Sequence, residues 1–116
     1  TAKIGGLGKF IGAATAADGR IVFAPYDANS VGVFNPVDST FELVDITAQI
    51  SSADKFLGAA AAADGRIVFA PAKADGVGVF NPVDSTFVLV DIAAQISSDG
   101  KFTGAAEAAD GRIVFA

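Results

Sequence analysis

The sequence predicts an all-β fold assembled from repeated four-stranded antiparallel units, about two and a half of them along the chain. Three observations lead there. First, the 116-residue chain repeats itself: Lys9-Phe10, Lys55-Phe56 and Lys101-Phe102 open three copies spaced 46 residues apart, and copies 9–54 and 55–100 differ at only ten positions. Second, β-branched and aromatic residues fill the runs between turns, and no helical period is sustained across ten residues. Third, both sides of those runs are apolar, as in Ile21 and Phe23 against Val22 and Ala24, so neighbouring sheets must cover both faces.

Each copy divides into four runs, which in the first are Phe10–Ala17, Arg20–Pro25, Val31–Phe34 and Phe41–Ile46. Gly12, Ala13, Ala14, Ala16 and Ala17 make the first run small-residued. Gly12 and the Asp18-Gly19 pair hem it in too closely for a helix, so it reads as a strand. Asp18-Gly19, repeated as Asp64-Gly65 and Asp110-Gly111, is a two-residue hairpin signal linking the first run to the second. Pro36 through Thr40 is a second turn, since Pro fixes φ while Asp and Ser bond their own backbone. The fourth run carries Asp45, and its Glu42 becomes Val88 in the next copy, which suits an outer strand. The residues from Thr47 to Phe56 then return the chain to the start of the next unit.

A four-stranded unit, repeated, with two faces to bury and a small-residued first strand, is the pattern of a β-propeller blade. A solenoid is the second choice, because a 46-residue coil is unusually long for one. The string GAAxAADGRIVFAP, followed by VGVFNP, resembles β-propeller repeats of the NHL and kelch-like kind over essentially the whole chain. It lacks a Trp-Asp pair and the kelch Gly-Gly with paired aromatics, so the resemblance implies a fold and no activity. The expected organisation is one partial propeller over residues 1–116, with repeats 1–46 and 47–92 and a half repeat 93–116. Propellers close radially with four to eight blades. The chain has no Met and stops mid-repeat, so the expectation is a fragment of a longer protein, a partial propeller that closes its ring by self-association, or both.

Composition excludes much chemistry. With no His, Cys, Met or Trp there is no thiol nucleophile, disulfide, Cys/His zinc site or imidazole base. Eight basic against thirteen acidic residues, a net charge of -5, disfavour nucleic acid. No apolar run reaches the ~18 residues a membrane helix needs, so no membrane partner is expected. Gly5-Gly6-Leu7-Gly8-Lys9 imitates a P-loop, but Phe10 stands where Ser or Thr is required. Asp75-Gly76 and Asp99-Gly100 come nearest to calcium loops without the spacing of any calcium motif. The polar set that recurs with the repeat is Lys9, Asp18, Arg20, Asn35, Asp38, Asp45 and Gln49. It offers Asp45–Lys55 or Asp18–Arg20 as catalytic pairs, but turn capping and a soluble surface account for it better. No catalytic residue, metal ligand or cofactor is assigned.

Seven of the ten differing positions fall in the loop between the second and third strands or in the connection between units, and in a propeller those segments share one face. Tyr26, Asp27, Asn29 and Ser30 become Ala72, Lys73, Asp75 and Gly76, whereas the opposite turns are copied unchanged. The candidate ligand-binding residues are therefore Tyr26, Asp27, Asn29, Lys73 and Asp75. Three function classes compete. The first is a non-catalytic scaffold or interaction propeller whose partner is itself. The second is a lectin-like module with one shallow site per blade for a glycan or protein ligand. The third is an enzyme such as a propeller lactonase or lyase, disfavoured because the channel side offers alanines where convergent acids are needed.

Overall fold

The computed structural model describes residues 9–96, 98 and 100–116. The Gly5–Gly8 segment and Asp99 lie outside the described residues. One four-stranded antiparallel sheet contains β1 (Phe10–Thr15), β2 (Ile21–Pro25), β3 (Ser30–Asn35) and β4 (Thr40–Asp45), in chain order. A second contains β5 (Phe56–Ala61), β6 (Ile67–Pro71), β7 (Gly76–Asn81) and β8 (Thr86–Asp91), again in order. A two-stranded sheet of β9 (Ala105–Glu107) and β10 (Ile113–Phe115) follows. Each predicted run is thus a strand, with ends moved by one or two residues.

The Asp-Gly hairpin differs from its prediction. Ala16 N–H donates to the Arg20 carbonyl and Gly19 N–H to the Ala16 carbonyl, which closes a three-residue loop over Ala17–Gly19 rather than a two-residue one. Gly19 takes φ +95°, the left-handed position that ends a type I turn in such hairpins. Asp18 serves the turn twice, accepting from the Arg20 backbone N–H at 3.1 Å and from its guanidinium Nε at 2.8 Å. Asp45, considered above as a partner for Lys55, instead accepts from the Thr47 N–H and hydroxyl.

β1, β5 and β9 lie side by side at the crowded edge of the three sheets. A Cβ on Gly12 would come within 2.5 Å of the Gly58 Cα, so only glycine permits this approach. The small first strand is thereby explained as the innermost one. Between the four-stranded sheets, Val22, Ala24, Val31, Val33 and Ile46 of the first join Phe56, Ile67, Phe69, Phe80 and Phe87 of the second in one buried core. Phe56, Phe69 and Phe87 form a ring cluster with centroids 5.6 to 6.2 Å apart. The first sheet repeats the cluster with Phe10, Phe23 and Phe41. Each sheet therefore presents a Phe-rich face on one side and a Val-rich face on the other.

Candidate functional site on the variable-loop face

The loop after β2 and the connection after β4 meet at one end of the sheets. Ile46 N–H donates to the Asn29 carbonyl at 2.9 Å and Lys55 N–H to the Tyr26 carbonyl at 2.8 Å. The opposite end holds the Asp-Gly hairpins and the Pro-Val-Asp-Ser turns, where Arg20 crosses to the second sheet and donates to the Pro82 carbonyl at 2.8 Å. The variable positions thus share one face, as the sequence predicts.

Three of the five candidate residues come together there. Asp27 accepts from the Asp54 backbone N–H at 3.0 Å. Lys73, from the loop after β6, reaches the Asp54 carboxylate at 3.2 Å. The Tyr26 hydroxyl lies close enough to the same carboxylate for the two groups to influence each other's ionisation. The Lys73 ammonium holds the Asp54 carboxyl below the usual carboxylate range against the opposing effect of burial, with smaller help from Asp27 and Tyr26. Tyr26 is pushed up, first by its partial burial and then by the Asp54 charge. The other two candidates lie apart from this cluster. Asn29 supplies its backbone carbonyl to Ile46 and its side chain is exposed. Asp75 belongs to the next junction, where Lys101 Nζ stands 3.4 Å from its carboxylate.

Asp54 is the residue that sequence reasoning missed. Its backbone is left-handed at φ +55°, and its repeat mate in that conformation is Gly100 at φ +62°. The signal was available: Tyr26, Asp27 and Asp54 all change together, to Ala72, Lys73 and Gly100. Lys55 overturns an expectation, since the recurring lysines were assigned to the solvated surface. Lys55 is fully buried, and its Nζ donates to the Asp27 carbonyl at 3.4 Å. Burial pushes its pKa down, opposed by the Asp27 and Asp54 charges. Lys101 repeats the reach one unit on, with Nζ 3.4 Å from the Lys73 carbonyl. Among the described residues no three acidic side chains converge.

No protein-family model and no curated protein sequence matches the chain. Solved structures do match. The selenomethionine-substituted virginiamycin B lyase from Staphylococcus aureus superposes with a TM-score of 0.73 at 14% identity, over 90% of this chain and 33% of that one. A streptogramin B lyase superposes with a TM-score of 0.75 at 20% identity, over 92% of this chain and 33% of that one. Both are β-propeller proteins. The fold is a partial β-propeller. Blade 1 is β1–β4, blade 2 is β5–β8, and β9–β10 is the inner hairpin of a third blade. The chain spans about a third of the length of either lyase, and likeness at such identity is a likeness of fold. The NHL- and kelch-like resemblance rests on strand and turn pattern alone, since no repeat-family model matches.

Proposed function

We propose that the chain is a non-catalytic propeller scaffold whose ring is completed by further copies of itself. The observation that carries this reading is the unequal burial of equivalent residues in blades 1 and 2. Phe56, Ile67, Phe69 and Phe80 of blade 2 are fully buried against blade 1, whereas their mates Phe10, Ile21, Phe23 and Phe34 are only half-buried. At the far end Val88 and Val90 of blade 2 are 55% and 48% exposed. The half-exposed Phe face of blade 1 and the outer-strand part of the Val face of blade 2, where Val88 and Val90 lie, correspond to the two halves of the interface already formed between the blades. A second copy supplies the complement of each, and closed rings are the common outcome of such heterologous contacts when the rotation closes.

Light scattering on a sizing column across a range of concentrations tests this. A discrete oligomer is expected, and an 11.6 kDa monomer at every concentration would overturn the reading. A second reading, a lectin-like binding face, is favoured by the convergence of Tyr26, Asp27 and Lys73 on Asp54. Glycan-array binding lost on Tyr26→Ala or Asp27→Ala supports it, and an array blank for the unmodified chain removes it.

A further inference from the structure

Among the described residues the third blade has its inner hairpin and no outer pair, and β10 has no neighbour on its outer edge. The direction of the unused bonds is fixed. Ala108 N–H donates to the Arg112 carbonyl, and Gly104 and Ala116 exchange both of theirs. Residues 112, 114 and 116 therefore bond inward to β9, while Ile113 and Phe115 aim their amides and carbonyls outward. In blade 1 the equivalent residues Ile21 and Phe23 pair with Phe34 and Gly32 of β3.

Residues 101–116 are also a near copy of residues 9–24. The two segments differ only at Ile11/Thr103 and Thr15/Glu107, and all four of those residues are exposed. Every side chain that β3 meets across β2 is thus present in β10. Resting on the ring-closure reading above, we propose that β9–β10 of one copy replaces β1–β2 of the next. The blade at each junction is then composite, with its inner hairpin from one chain and its outer hairpin, β3–β4, from a second copy. This exchange conserves strand pairs and gives each copy two full blades, with β1–β2 left over.

Two further features fit a second copy at that position. A Cβ built on Gly104 meets nothing within 4 Å, whereas those on Gly12 and Gly58 strike the next blade's inner strand. Arg66 and Pro36 are both exposed, while their mates Arg20 and Pro82 bond one another across blades 1 and 2. In the composite ring Arg66 of one copy faces Pro36 of the next. Meanwhile β9–β10 stays on its own blade 2 through Lys101 N–H to the Ala72 carbonyl and Phe102 N–H to the Pro71 carbonyl.

The test mixes two single variants, Val33→Cys and Val114→Cys, in a chain that otherwise has no cysteine. Val33 pairs with Val22, whose repeat mate is Val114, at a non-hydrogen-bonded position close enough for a disulfide. Mild oxidation should join the two variants through residues 33 and 114, as shown by peptide mapping. Amide exchange of the unmodified chain is the second readout, with Ile113 and Phe115 slowed about tenfold or more on assembly. A discrete oligomer with no 33–114 link and fast amides at both residues would overturn strand exchange while leaving ring closure standing. A monomer throughout would overturn both.

Discussion

Lys55 shows how a charge becomes part of a blade junction. Its side chain is fully buried, its ammonium donates to the Asp27 carbonyl, and the charges of Asp27 and Asp54 favour its protonated form against the cost of burial. Removing the stem in Lys55→Ala deletes three buried methylenes and should cost about 2 kcal/mol in urea denaturation. Lys55→Met keeps the stem and removes the buried charge, so its stability should stay within about 1 kcal/mol of the unmodified chain. The pH dependence separates the two roles. A lysine whose folded pKa lies below its unfolded value of about 10.5 binds fewer protons when folded, so stability rises with pH through that window. That alkaline rise should be absent in Lys55→Met. At the acid end Asp18, Asp38, Asp45, Asp54, Asp64 and Asp110 are all held below their usual value. Their contribution is fully present above about pH 4 and fades as pH falls through the folded values. Urea midpoints measured from about pH 2 to about pH 11 read both limbs.

At the scale of elements, Arg20, just after the first Asp-Gly hairpin, ties blade 1 to the turn between β7 and β8 of blade 2. Arg20→Ala loses the bond to the Pro82 carbonyl and should cost about 1 kcal/mol, whereas Arg66→Ala should leave the lone chain almost unchanged. In the proposed ring the two substitutions should become equally damaging, a difference that thermal melts at low and high protein concentration will show. The strands themselves were legible because turn residues recur in phase and the runs between them are β-branched and aromatic. The hairpin loop was misjudged by one residue, because Asp-Gly serves a two-residue turn and a three-residue turn ending in a left-handed Gly equally well. Burial of Lys55 was not legible, because a lysine at a strand start reads as solvated until the neighbouring blade is placed over it. The unequal exposure of Phe23 and Phe69 was equally hidden: the repeat gives them the same local sequence, and only the position of each blade in the stack distinguishes them.

For the whole molecule, charge and shape pull in different directions. Each copy carries a net charge of -5, so the proposed association would bring like charges together across apolar faces. Raising salt from about 20 mM to about 0.3 M should therefore tighten association, the reverse of what a salt-bridged interface shows. Sedimentation velocity over that series is the measurement. The blades also stack with a fixed sense: every Phe face looks one way along the array and every Val face the other. An aggregate built this way has a plus end and a minus end, as a filament of asymmetric subunits does. Growth at either end depends on a different set of side chains, and only closure into a ring removes both ends at once.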